Sequence, residues 1–310
     1  MSEGINENKE ELGIKINTLE VDYEIEKRKV YHQKEANSEI TFKTGKQPDN
    51  KCKYLVSIHE KDFSFKGYLS NTLTKEKIGL FNYGNSEDAD CYCGNWENDE
   101  KNGEGIYYYP ASQDIYVGNW VKNKKEGNGI YLSSENGIVT ICLGTFNSDL
   151  FKEGLVVSYQ VKGTEIIPKI IYKGKVDDKG VKNDDSAIII ENNIIFKGKV
   201  VNDEKMEGLV LVFEEDKVKY SFKMNKIEGS QENEYNFSIN EDKEVEEQLI
   251  TTKKKWDESN LINRVETFSQ VIMESLGEAN YSIEEFQKAI EGDKLQNKIT
   301  QFNELVKAII

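Results

Sequence analysis

The chain has 310 residues, of which 37% are hydrophobic and 31% charged, with a formal net charge of −15. This balance leaves little apolar material for a thick globular core and suits an extended, thinly packed object. The acidic excess argues against nucleic acid and against direct binding to anionic membranes, because both need clustered Lys/Arg opposite phosphates.

Residues 1–20 are acidic and lack a clear apolar pattern, which predicts a flexible N-terminus. Residues 1–11 contain no apolar segment of the kind that opens a signal peptide. The longest apolar runs, at 187–190 and 209–213, are strand-length, well short of the roughly 20 residues a membrane helix needs. A soluble, cytoplasmic protein is expected, with Cys52, Cys91, Cys93 and Cys142 reduced. Within 21–61, residues 39–43 and 53–58 read as strands around the Gln47-Pro48-Asp49-Asn50 turn, forming a degenerate β cap.

Residues 62–235 are repetitive. The clearest copies are Tyr92-Cys93-Gly94-Asn95-Trp96, running on to Gly103-Glu104-Gly105, and Tyr116-Val117-Gly118-Asn119-Trp120, running on to Gly127-Asn128-Gly129. Weaker copies centre on Gly67, Gly144, Gly174 and Gly198, so successive glycines lie 27, 24, 26, 30 and 24 residues apart. One supersecondary unit has been duplicated. Tyr92, Gly94 and Trp96 alternate onto one face of a strand, and Gly103, Gly105, Tyr107 and Tyr109 onto one face of the next. Each unit therefore reads as a β-hairpin. Glycine inside a strand loses packing and entropy, and its usual reason is close approach of another backbone or a large ring. The rings available are Tyr92, Trp96, Tyr107, Tyr116, Trp120 and Tyr131.

This pattern resembles the MORN (membrane occupation and recognition nexus) repeat, closely over residues 92–131 and more loosely over 62–235. The tryptophan position drifts to Phe146, Val176, Val200 and Met224, and the unit at Tyr172 has no aligned second glycine. The resemblance implies an elongated single-layer antiparallel sheet of stacked hairpins, mainly β, with an aromatic groove and no catalytic residues. It implies a scaffold that holds partner polypeptides, as in ciliary and cytoskeletal assemblies such as radial-spoke heads, or else a targeting module for a separate kinase or methyltransferase or for a phospholipid membrane. The groove anchors would be Tyr92, Trp96, Tyr107, Tyr116, Trp120, Tyr131 and Phe146. An open sheet edge is a second place for a partner, and pairing of two copies is compatible with it.

The remaining motifs favour structure over chemistry. Only His32 and His59 are present, and neither neighbours a triad motif. Gly103-Glu104-Gly105 leads into Ile106-Tyr107-Tyr108-Tyr109, a strand where a phosphate loop needs a helix. Cys91 and Cys93 supply at most half a zinc site, and buried strand cysteines are commoner. Asp177-Asp178 and Asp184-Asp185 lack calcium-loop spacing and read as solvated turns. Neither cofactor nor metal is expected. Residues 236–258 read as a linker. Residues 259–310 read as three amphipathic helices: one carries Leu261, Val265, Phe268, Ile272 and Leu276, a second starts at a Ser282/Glu285 capping box, and a third aligns Leu295, Ile299, Phe302, Val306 and Ile309. The last stripe either closes the end of the repeat stack or docks on another subunit.

Overall fold

The structure, a computed structural model, describes residues 14–18, 38–43, 54–70, 72–86, 88–162, 165–227 and 234–259. The chain divides into two compact units with the boundary between Lys124 and Lys125. The first holds β1 (Ile14–Thr18), β2 (Ser38–Lys43), β3 (Tyr54–His59), β4 (Ser64–Leu69), β5 (Lys75–Asn82), β6 (Cys91–Glu97), β7 (Glu100–Tyr109) and β8 (Asp114–Val121). From β2 onward each strand pairs antiparallel with the next. Residues 14–18, expected within a flexible stretch, instead pair parallel with β2.

The second unit holds β9 (Lys124–Glu135), β10 (Ile138–Asn147), β11 (Leu150–Lys162), β12 (Glu165–Lys175), β13 (Asp184–Glu191), β14 (Ile194–Val201), β15 (Glu204–Glu214), β16 (Lys217–Lys226), β17 (Tyr235–Ile239) and the helix α1 (Lys243–Ser259). Its strands again pair antiparallel in chain order. The fold is thus mainly β, a single layer in each unit that is antiparallel apart from the β1–β2 pair.

Hairpins form because short polar pairs accept left-handed backbone. Asn98/Asp99, Lys122/Asn123, Ser148/Asp149 and Asn202/Asp203 all have positive φ, between 48° and 75°. Two such residues in succession make the turn whose twist matches the flanking strands, and Asn and Asp tolerate it best.

The repeat glycines fall into register. Gly67 faces Gly79, Gly79 faces Gly94, Gly94 faces Gly105, and Gly105 faces Gly118. In the second unit Gly129, Gly144, Gly154 and Gly174 continue the pattern. Ala187 then faces Gly198, which faces Gly208, so the fully buried Ala187 takes the place of the glycine that the Tyr172 unit lacks. The two glycines of the x-Gly-x-Gly segment do different things. Gly105 lies in the ladder, whereas Gly103, at φ +92°, lies where the β6–β7 register slips between Gly94 and Trp96. Gly127 has φ +67° at the matching position.

Two apolar layers flank this row in the second unit. On the ring face Tyr172, Ala187, Ile189, Phe196, Val200, Val210 and Met224 form one cluster. On the opposite face Ile190, Ile195, Leu209, Leu211 and Phe213 are joined by Leu249 of α1, with Val245, Ile250 and Trp256 packed alongside. Helix α1 starts at Asp242, whose carboxylate accepts a hydrogen bond from the Val245 amide at 3.1 Å. Residues 236–258, expected as a linker, therefore carry most of β17 and of α1. The three helices expected at 259–310, with Leu295, Ile299, Phe302, Val306 and Ile309, lie outside the described residues.

The glycine row makes a direct prediction for stability. A Cβ at Gly144 would stand 2.0 Å from the Glu153 carbonyl oxygen, whereas one at Gly137 meets nothing within 4 Å. Gly144→Ala is expected to cost about 3 kcal/mol or more, and Gly137→Ala about 1 kcal/mol from its positive φ. Urea denaturation of the two variants measures the difference.

Candidate functional site

Five of the seven expected anchors lie together in the first unit. Tyr92 and Trp96 meet edge to face at 5.1 Å and 89°, and Tyr116 and Trp120 repeat the arrangement at 5.2 Å and 89°. Tyr92 also meets Trp120 at 5.4 Å, and Tyr107 meets Trp120 at 5.9 Å. The repeat motif explains itself here. The Tyr92 hydroxyl donates to the Asn95 carbonyl at 2.9 Å, Tyr116 to Asn119 at 3.0 Å, and Tyr172 to Lys175 at 2.6 Å. Bonding three residues ahead lays the ring across the glycine two residues ahead. A Cβ on Gly105 would stand 2.4–2.6 Å from Tyr92 ring and hydroxyl atoms. Trp96 Nε1 donates to the Gly79 carbonyl at 3.3 Å and Trp120 Nε1 to Gly105 at 3.4 Å, so each indole is pinned to the strand before it.

These five side chains are only 0–8% exposed, so they are first of all the thin core of the layer. Accessible ring surface belongs to neighbours outside the seven anchor positions. Phe63 stacks on Phe81 at 5.3 Å, Phe81 meets Tyr83 at 4.6 Å, Tyr83 meets Tyr107 at 5.7 Å, and Tyr107 meets Tyr109 at 4.3 Å. Phe63, Phe81 and Tyr109 are half-buried, and Tyr83 is 43% exposed. Alternation was the available signal, since Phe81 and Tyr83 continue the face of Gly79. Of the other two expected anchors, Tyr131 lies in the second unit beneath Lys125 Nζ, 4.5 Å from its ring centre. Phe146 is buried there against Phe151 at 5.5 Å.

A second repeated device underlies the rings. The backbone amide of Lys75 donates to the Asp99 carboxylate at 2.9 Å, Lys101 to the Asn123 amide oxygen at 2.9 Å, Lys125 to Asp149 at 2.9 Å, and Lys182 to Asp203 at 3.1 Å. Each turn residue returns a bond through its own amide to the carbonyl of the same lysine, at 3.0–3.2 Å. Every such turn is therefore clasped to the preceding hairpin. The lysine side chains then cover the rings. Lys101 Nζ lies 4.5 Å from the Tyr107 centre and 4.6 Å from Trp120, and Lys75 Nζ lies 5.1 Å from Trp96. Lys101 is only 9% exposed. The stretch Lys122–Lys125 supplies both the left-handed turn and a clasped lysine.

Burial governs the acid–base behaviour. Loss of solvent, helped by Asp90, pushes the Tyr83 phenol up to about 12. Burial raises Tyr92 and Tyr107 well above the ordinary phenol range, and the Tyr107 hydroxyl donates to Asp90 at 3.1 Å. Burial also pushes the Cys91 and Cys142 thiols up to about 11 and Cys93 higher still. These thiols pack as small apolar groups. Among the described residues, no three His, Cys, Asp or Glu side chains are grouped to hold a metal ion.

The MORN repeat family matches the chain at residues 92–112 and 116–137. Both matched stretches are MORN repeats. These are the two units whose Tyr–Gly–Trp geometry is most regular, and the match is consistent with a protein-interaction or membrane-associated repeat protein. No curated protein is significantly similar to the chain in sequence. Among the described residues no helix is long and apolar enough to cross a membrane.

The raised thiols and phenols predict an alkaline limit to stability. Their folded pKa values lie above their unfolded ones, so stability is intact below the unfolded values of about 9 for Cys and 10 for Tyr, where both states are neutral. It falls as pH rises beyond them, because the unfolded chain ionises and the folded chain does not. A buried thiol such as Cys93 contributes a loss of up to about 1.4 kcal/mol per pH unit in that range. Urea midpoints at pH 8 and pH 10.5 check this; equal midpoints would contradict it.

Proposed function

We propose that this chain is a non-catalytic scaffold, a protein–protein interaction subunit of a larger assembly, which holds a partner polypeptide on the ring face of its MORN repeats. The observation that carries the reading is the continuous row Phe63–Phe81–Tyr83–Tyr107–Tyr109, each ring in contact with the next and the row half-open to solvent. Rigid aromatic side chains lose little conformational entropy on binding and bury large areas, which is why they dominate interface energetics. The row is braced by Trp96 against Phe81 at 5.8 Å, by Trp120 against Tyr107 at 5.9 Å and by the clasped Lys75 and Lys101 lying over its rings, so it is preorganised. The Asp90 carboxylate, which accepts from the Tyr107 hydroxyl at 3.1 Å, puts negative charge beside the row and favours a partner with basic residues at its margin. The resemblance to ciliary and cytoskeletal MORN proteins supports an axonemal or cytoskeletal setting for this assembly.

The test is affinity purification of the full chain from its own cells, with wild type compared to a Tyr83→Ala/Tyr109→Ala variant. Both side chains are partly exposed, so the unfolding midpoint should change little. Recovery of cytoskeletal or axonemal subunits should fall about tenfold in the variant, as for loss of an interface hot spot. Unchanged recovery would remove the ring row from the interface. A single kinase or methyltransferase recovered in equal amount would replace the scaffold by a regulatory module.

A further inference from the structure

The three most exposed large apolar side chains of the described residues, Tyr220 at 55%, Phe237 at 59% and Ile239 at 84%, lie on β16 and β17. Phe237 stands opposite Met224 and Ile239 opposite Phe222, so both project from the ring face, where Met224 closes the buried cluster of the second unit. Phe237 meets Phe222 edge to face at 5.1 Å and Tyr235 at 6.3 Å. The apolar layer thus runs out onto β17 and stays uncovered there.

β17 takes its ladder from β16, and among the described residues no register is formed on its other edge. Natural edge strands are guarded by inward charges, proline or a bulge. The sequence of β17, Tyr235-Asn236-Phe237-Ser238-Ile239, has neither charge nor proline, and its register with β16 runs without a slip. An unguarded edge beside exposed apolar side chains is the arrangement for strand addition. Its flanks are acidic, with Glu234 exposed at one end and Glu241 and Asp242 at the other.

We infer that β17 is a docking edge for an extended segment of another polypeptide, one with large apolar side chains at alternate positions and Lys/Arg at both ends. The added strand pairs with the backbone of β17 and lays its apolar side chains beside Phe237 and Ile239, while its basic ends meet Glu234, Glu241 and Asp242. A second copy fits less well, because two β17 strands would bring their acidic flanks together. This inference deepens the interaction-subunit reading and rests on it, through a surface that belongs to the second unit alone.

The probe is a fluorescein-labelled synthetic peptide of alternating valine or phenylalanine and threonine, with lysines at both ends, titrated into the full chain by anisotropy. Expected are saturable binding that weakens with salt and slowed amide exchange at 235–239. Binding should weaken about tenfold in a Phe237→Lys/Ile239→Lys variant and be unchanged in Tyr83→Ala/Tyr109→Ala, which separates this edge from the ring row. A peptide N-methylated along one edge should not bind, a readout that does not depend on how any variant folds. Absence of exchange protection with the lysine peptide, or equal binding of a glutamate-flanked one, would overturn the inference. Concentration-dependent self-association lost in the lysine variant would overturn it too, by giving the edge to a second copy.

Discussion

A tyrosine or phenylalanine ring lying flat over a glycine is the contact on which the rest of these sheets depends. A single layer has no second sheet to pack against, so it must make a core from side chains that fold back on their own strand. Tyr92 does so by bonding the Asn95 carbonyl, which brings its ring over Gly94 and Gly105. Each strand glycine costs roughly 0.5–1 kcal/mol in lost packing and entropy. Burying an aromatic ring contributes about 1.5–3 kcal/mol, with about 0.5–1.5 kcal/mol more from each edge-to-face pair. The ring term outweighs the glycine term, and the row is stable because Gly67, Gly79, Gly94, Gly105, Gly144, Gly154, Gly174, Gly198 and Gly208 each have a ring or a neighbouring backbone in the space a Cβ would fill.

The clasp between each turn and the preceding hairpin does a separate job. Pairing by glycine and ring fixes neighbouring strands, whereas Lys75–Asp99 and Lys101–Asn123 tie successive hairpins at their ends. The side-chain ion pair of Lys75 with Asp99 is half-exposed and contributes little by itself. The backbone bonds and the placement of Lys101 over Tyr107 and Trp120 matter more, because they order the rings before any partner arrives. A preordered surface loses less entropy on binding, which connects the repeat's internal chemistry to its proposed role.

Much of this was legible in the residues. Tyr92, Gly94 and Trp96 on one strand face, returning after 24 residues, specify a strand, a repeat and a reason for glycine together. What stayed hidden depended on contacts between units of the repeat. The pairing of Lys101 with Asn123 spans 22 residues and joins residue types that look like ordinary turn solvation. Ala187 replaces a glycine without matching the motif, because a methyl group is small enough for that place in the row. Phe81 and Tyr83 carry the accessible rings although neither occupies a motif position, so the motif marks the core and the surface lies beside it. Helix α1 has little signature in the residues although Asp242 caps it, since its apolar side chains Val245, Leu249 and Trp256 are sparse among charges and gain their meaning only from the strands they cover.

The glycines serve the rings. A double-mutant cycle between Gly105 and Tyr92 tests it most directly, with unfolding free energies measured for Gly105→Ala, Tyr92→Leu and the pair. Because a Cβ at Gly105 meets the Tyr92 ring at 2.4–2.6 Å, the alanine should be costly with the tyrosine present and nearly harmless once the ring is gone. A coupling of about 1 kcal/mol or more in that sense is expected; additive effects would mean that the ring is not why position 105 is glycine.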